Sequence, residues 1–381
     1  MRLKHKLSIV AALLATVFAA VSALAESTLI GHSLPTCVPQ REAVSVPLPG
    51  FASPAEIARP PALMPMRGLL LLFPGSDLAD MDGAVVGSDD QIVSRPMQQV
   101  ADRLACAGFA SLRYNKRWVT SSTTVDRDKF DKLNGADLAA DGRVALAFAR
   151  SQSDLARLSV GLVGWSEGTT VAMAVAASEP SVRAVVLMAP VVKSPAQVAQ
   201  EQYSRIGRPY LAHYVKDGAL DADAIAKAGA GPGGVLAHIF VAMFRGFRPG
   251  ERVNSLLDKN KDGRITFAEA DPIIASWYAD TLDSGLGMSA TGRALPGLVQ
   301  AYGSNTPPLL ILQGLNDSMI APAAALAFAA RSENRTRVTL ITYQGLGHSL
   351  GLAKMPEEDG LLPVAAKPLD DMATWIQRQL R

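Results

Sequence analysis

Six short apolar runs separated by stretches of helical spacing confine this chain to a narrow set of architectures. The runs are Arg67–Phe73, Phe109–Tyr114, Leu158–Val163, Val182–Met188, Leu309–Gln313 and Arg337–Tyr343. Arg67–Phe73 is continuously apolar after its first residue and ends in Pro74-Gly75, which reads as a buried strand, and the other five read as strands in turn. Between them lie helical patterns: Pro96–Ala107 with Met97, Val100 and Leu104 on one face, Asp137–Ala149 with Leu138, Val144, Leu146 and Phe148, and Glu167–Ala177. Leu369–Leu380 closes the chain. Strand alternating with helix predicts an α/β fold, a mostly parallel sheet with helices on both faces. Such sheets carry their ligands at the carboxyl ends of the strands.

The alternation breaks between residues 190 and 305. That stretch is helical in character and punctuated at Gly229–Gly234 and at Arg248-Pro249-Gly250. It is expected to be a helical cap inserted between two strands, dividing the core into 66–189 and 306–381. Residues 26–65 are rich in Pro and Ser, with one strand-like stretch, Glu42–Leu48, and are expected to form an N-terminal arm. Charged residues make up 19% of the 381 and hydrophobic ones 49%, which excludes a chain disordered for want of a core. With 37 Lys and Arg against 35 Asp and Glu and no basic stripe, nucleic acid is not an expected partner.

The first 25 residues read as a secretory signal. Arg2, Lys4 and Lys6 precede the apolar run Leu7–Val21, and Ala23-Leu24-Ala25 supplies an A-x-A cleavage pattern before Glu26. The competing reading is an uncleaved anchor, since Leu7–Ala25 nearly spans a bilayer. With cleavage, no stable membrane span is expected, and the location is secreted or periplasmic. In such a compartment Cys37 and Cys106 are expected to pair as a disulfide, pinning the arm to the core.

Gly164-Trp165-Ser166-Glu167-Gly168 fits G-x-S-x-G in its required context, between a strand and a helix. Neighbouring side chains would clash in so sharp a turn, hence the two glycines. A serine hydroxyl needs a base to take its proton. Asp317 follows the strand Leu309–Gln313, and His348 follows Arg337–Tyr343, in the order acid then His. His5, His32, His213 and His238 fall in the signal, the arm and the cap. Two N–H donors are needed for an oxyanion. Glu167 is the first. The second belongs to the loop after Phe73; Pro74 has no N–H, so Ser76 is expected, with Gly75 in reserve.

With these residues in view, the chain from residue 66 onward resembles the α/β-hydrolase superfamily. Phe109–Arg117 is similar to the LRYDKRG strand and loop of bacterial serine esterases and serine-aminopeptidase-like hydrolases. Phe73-Pro74-Gly75-Ser76 with Asp80-Met81-Asp82-Gly83 resembles their HGSG and D-x-DG loop. The resemblance implies an α/β-hydrolase fold and a triad of Ser166, Asp317 and His348. Pro74 departs from the usual His, and Asn115 and Trp118 from the usual Asp and Gly.

Within the cap, residues 258–269 match D-x-[DN]-x-[DN]-G-x5-E, the pattern of an EF-hand calcium loop. Asp258, Asn260 and Asp262 are expected to offer side-chain oxygens, Arg264 its carbonyl, Thr266 a water-bridged position and Glu269 two oxygens. The expected role is structural Ca2+ tying two cap helices together; the triad chemistry itself calls for no cofactor. The sequence therefore points to a serine hydrolase acting on a small-molecule acyl substrate, most directly a carboxylic ester, with the apolar stretch Ile239–Phe244 expected to shape its pocket. A peptidase or amidase would use the same triad. From another class, a non-catalytic calcium-dependent binding protein could keep the same scaffold.

Overall fold

The structure is a computed structural model that describes residues 37–76, 79–87, 91–248, 250–274, 295–331 and 336–380. The signal at 1–25 lies outside the described residues. Cys37, the first of them, is joined to Cys106 by a disulfide.

Eight strands form one sheet: β1 (Gln40–Leu48), β2 (Phe51–Arg59), β3 (Gly68–Phe73), β4 (Phe109–Tyr114), β5 (Val160–Trp165), β6 (Val182–Met188), β7 (Leu309–Gly314) and β8 (Val338–Tyr343). Their order is β1-β2-β4-β3-β5-β6-β7-β8. From β4 to β8 every pairing is parallel, in registers such as Leu71 opposite Leu112 and Leu162. β1 and β2 form an antiparallel hairpin, and β2 adds antiparallel to β4. The core therefore begins at residue 40, not 66. Pro47 and Pro54 disguise the hairpin in the sequence, since proline cannot donate to a ladder. The carbonyl of Pro54 still accepts from Asn115 N at 2.9 Å, so β2 is held by its acceptors there.

Helices cover both faces. α1 (Pro96–Ala105) lies on one face; α2 (Gly135–Ser151) and α3 (Gly168–Ser178) lie on the other. The alternation of the strands sorts the core between the faces. Leu69 and Leu71 pack with Leu138 and Leu146 of α2 and Val171 and Val175 of α3. Leu70 and Leu72 pack with Met97, Val100 and Leu104 of α1.

The insertion starts with α4 (Pro195–Gln202), whose Ser194 and Gln197 make a capping box. A π-helical turn, Tyr203–Gly207, runs into α5 (Arg208–Ala212), then α6 (Ala222–Gly229) and α7 (Val235–Phe244). These helices enclose a core of their own that includes Tyr203, Ile206, Leu236, Phe240, Phe244, Leu257 and Ile265. Ile239–Phe244 was expected to shape an acyl pocket. Phe240, Val241 and Phe244 are instead buried in the cap's interior, because α7 is apolar on nearly every side and must be surrounded. Beyond β7, α8 (Pro322–Ala330) packs on the α2 and α3 face and α9 (Ala366–Gln379) beside α1. Among the described residues no helix is long and apolar enough to cross a membrane.

Candidate active site

Ser166 stands between β5 and α3 with φ +55°, a left-handed conformation that costs a side-chain-bearing residue about 1–3 kcal/mol. The flanking glycines allow it. A Cβ on Gly164 would lie 2.3 Å from the Gly168 carbonyl oxygen, and one on Gly168 would lie 2.2 Å from that of Phe73. The strand end, the helix start and the end of β3 thus meet with backbone against backbone. Ser166 N donates to Met188 O at 3.0 Å, tying the turn to β6.

Asp317 follows β7 and His348 follows β8. His348 Nδ1 lies 3.0 and 3.1 Å from the two carboxylate oxygens of Asp317. Both residues are buried. Ile320 N donates to Asp317 Oδ1 at 2.8 Å and Gln313 Nε2 to Oδ2 at 2.9 Å, so each oxygen has a second donor. Burial opposes a charge on His348, yet the charge and hydrogen bond of Asp317 prevail and raise the imidazole above its ordinary 6.5. The His348 loop is held beside the elbow by Trp165. Its Nε1 donates to the His348 carbonyl at 3.0 Å, and the two rings lie 5.7 Å apart.

A second buried carboxylate, which sequence reasoning did not single out, sits behind this pair. Asp359 Oδ2 accepts from His348 N at 2.8 Å and from Ser318 N and Oγ at 3.1 Å. It therefore joins the acid loop to the histidine loop. Burial raises its pKa, and the neighbouring Asp317 charge adds to the effect. The cap is sewn onto the same loops. Arg205 donates to the Asp317 carbonyl at 2.8 Å and Gln202 to that of Met319 at 2.9 Å. Val235 N, at the start of α7, donates to Asp359 O at 3.1 Å.

The loop after β3 lies against the elbow. A Cβ on Gly75 would fall 3.6 Å from Ser166 Cβ, while the side of Ser76 is exposed. The residues resembling a D-x-DG motif build this loop. Asp80 Oδ1 accepts from Asp82 N and Ala84 N, and Gly83 turns at φ +63° against Trp165. Buried Arg113 pairs with Asp82 and Glu56. Asn115, one of the departures noted above, accepts from Met81 N at 2.8 Å, so it anchors the loop. Trp118, the other, turns at φ +73° and packs at a tilt against the Phe51 ring, with centroids 5.4 Å apart. Lys116 donates to the Gly75 carbonyl at 2.6 Å and pairs with Glu167. Its signal in the sequence was its place in the strip 113–117, whose polar side chains follow a buried strand.

In the cap, Asp258 accepts from Asp262 N and Gly263 N, Asp262 from Arg264 N, and Asn260 from Asp262 N. Ile265 is buried and pairs antiparallel with Leu220. Glu269, the expected bidentate ligand, accepts from the amides of Lys259, Asn260 and Thr266 and from the Thr266 hydroxyl. Among the described residues no group of three or more His, Cys, Asp or Glu is placed to hold a metal ion. The carboxylates of Asp258, Asp262 and Glu269 all accept hydrogen bonds from amides of their own loop.

Several solved structures align with this chain at low identity. A dienelactone hydrolase from Anabaena variabilis is 17% identical, with 90% of this chain and 99% of that one covered and a TM-score of 0.44. Est1E from Butyrivibrio proteoclasticus, solved with ferulic acid, is 14% identical, covering 88% and 99%, with a TM-score of 0.48. A hyperthermophilic esterase from Pyrobaculum calidifontis is 14% identical, covering 99% and 91%, with a TM-score of 0.45. No curated protein matches the sequence. The profile of the Hydrolase_4 family, described as serine aminopeptidase, S33, matches residues 93–352. That span runs from α1 past the histidine loop, and with the sheet order above it makes the chain a hydrolase of the α/β-hydrolase fold, belonging to the Hydrolase_4 family.

Proposed function

We propose that the protein hydrolyses carboxylic esters of small molecules through an acyl-enzyme on Ser166. The observation that carries the reading is the buried Asp317–His348 contact held against a strained Ser166 turn. Ser166 attacks the carbonyl, and His348 takes its proton and later returns it to the leaving alcohol. Asp317 holds the imidazole tautomer and offsets its positive charge. The amides of Glu167 and Ser76 receive the oxyanion. A scaffold kept only for binding has no use for strain at one serine, which weighs against the non-catalytic reading. The family's description as serine aminopeptidase favours a second reading, cleavage of a peptide or amide by the same residues.

The test is hydrolysis of a chain-length series of p-nitrophenyl esters beside aminoacyl p-nitroanilides, with Ser166→Ala as control. Ester turnover lost in Ser166→Ala supports the proposal; turnover of anilides alone replaces it with the peptidase. Ester turnover retained in Ser166→Ala removes Ser166 as nucleophile.

Two further proposals are separate from the chemistry. The Cys37–Cys106 disulfide supports a secreted or periplasmic location after loss of residues 1–25. The pattern of residues 258–269 supports a structural Ca2+, with Asp258, Asn260, Asp262 and Glu269 as its side-chain ligands. Chelation is then expected to lower the melting temperature, and Asp258→Ala to remove that sensitivity. An identical melt with and without chelator refutes it.

A further inference from the structure

We infer that Lys116 is the positioning residue that sets the two oxyanion donors at their working distance from each other. The inference rests on the reading above and deepens it. The two donors come from different parts of the chain, Ser76 after β3 and Glu167 after β5. Two N–H groups that receive one oxygen must be held to within about 0.5 Å. Nothing in the covalent chain does this, because about ninety residues separate them.

Lys116 spans the gap from a third loop. It follows β4, the parallel neighbour of β3, so its side chain rises beside the β3 loop. Its Nζ donates to the Gly75 carbonyl at 2.6 Å, and the same ammonium pairs with Glu167 Oε2. Both side chains are buried. A trans peptide points its C=O and N–H in opposite directions. Pinning the Gly75 carbonyl on Lys116 therefore turns the next amide, Ser76 N–H, away from the lysine. Gly75 itself lies against Trp165 and Ser166, where its Cβ would be 3.3 and 3.6 Å from them. The far end of the same loop is fixed independently by Asn115 on Met81 N and by Arg113 on Asp82. Only the Gly75 end carries the donor, and Lys116 holds that end. A buried ion pair is weak support for stability as such. Here it links two backbone segments whose spacing matters.

The experiment compares the wild type with Lys116→Met and with Lys116→Met/Glu167→Gln, which removes both buried charges and leaves the Glu167 amide in place. The readouts are melting temperature, kcat and KM on a p-nitrophenyl ester, affinity for a phenylboronic acid that forms a tetrahedral serine adduct, and the rate of Ser166 modification by a fluorophosphonate. In the double variant the melt is expected to return close to wild type and KM to stay within about threefold. Its kcat and boronate affinity are expected to remain about 10–100-fold down, a fraction of what losing a whole oxyanion donor costs. A double variant with wild-type kcat and boronate affinity overturns the inference and leaves Lys116 a structural residue. A wild type that turns over no ester and is not modified at Ser166 overturns the proposed function itself, and this inference with it. A wild type modified at Ser166 but inactive on esters still tests Lys116 through boronate affinity and modification rate.

Discussion

Gly168→Ala is the substitution whose outcome the geometry determines most sharply. The added Cβ would stand 2.2 Å from the Phe73 carbonyl oxygen, 2.6 Å from that of Pro74 and 2.7 Å from the Phe73 carbonyl carbon. Ordinary contact begins near 3.4 Å, so the overlap exceeds 1 Å and falls wholly on backbone. No rotamer can absorb it. Phe73 is also held in register opposite Gly164, so the strain cannot pass along β3. Either α3 backs away from the sheet or the segment carrying Gly75 is displaced. Overpacking of this kind costs about 1–3 kcal/mol, sometimes more. A displacement of about 1 Å in a positioning element lowers turnover about 100-fold. Gly303→Ala serves as the control, because a Cβ there meets nothing within 4 Å, and its effect should stay within about 0.5 kcal/mol. Thermal melts and kcat on a p-nitrophenyl ester give both quantities. A Gly168→Ala protein with the melting temperature and kcat of the wild type would refute the reasoning that this contact holds the elbow to the oxyanion loop.

Other expectations follow from the same geometry. Ser166→Gly abolishes turnover and, by releasing the φ +55° strain, stabilises the fold by up to about 1 kcal/mol; a lower melting temperature than wild type counts against stored strain. The rate should rise with pH as His348 loses its proton, with a midpoint above 6.5 because Asp317 outweighs burial; a midpoint at or below 6.5 in kcat/KM contradicts the buried pair. Asp359→Ala strands Ser318 N, Ser318 Oγ and His348 N without their acceptor and should cost about 3 kcal/mol with a fall in kcat, and wild-type unfolding by denaturant would show the carboxylate to be dispensable. Reducing or replacing the Cys37–Cys106 bridge releases a span of 69 residues and should cost up to about 4 kcal/mol, read as a shift in the denaturant midpoint; no shift means the unfolded chain gains nothing from its release.

Much of this protein was legible in one dimension. The strands β3 to β7 came from apolar runs, since a strand buried on both faces has little polar side to interrupt it, and the edge strand β8, largely half-buried or exposed, came from its β-branched residues. Ser166, Asp317 and His348 could be named because each follows such a strand, and strand ends in a parallel sheet share one edge. Local chemistry also marked the glycines of the elbow. The outer hairpin was obscured by its prolines, whose cost depends on whether the N–H was needed, and that is known only once the partner strand is in place. Ile239–Phe244 looked like a pocket because apolar character does not say what will cover it. The acidic loop of the cap carries the right residue types in the right order, but which donors its oxygens take is decided by the folded loop. What Lys116, Asp359 and Arg205 bind was out of reach altogether. Their partners lie 41, 11 and 112 positions away, and nothing in a sequence announces a buried charge until the fold has removed the water around it. The sequence by itself thus determined which elements form and which side chains can do chemistry, because both follow from local spacing and residue type. The tertiary structure alone decided how the loops bearing that chemistry are held together, because that depends on contacts between segments the chain keeps far apart.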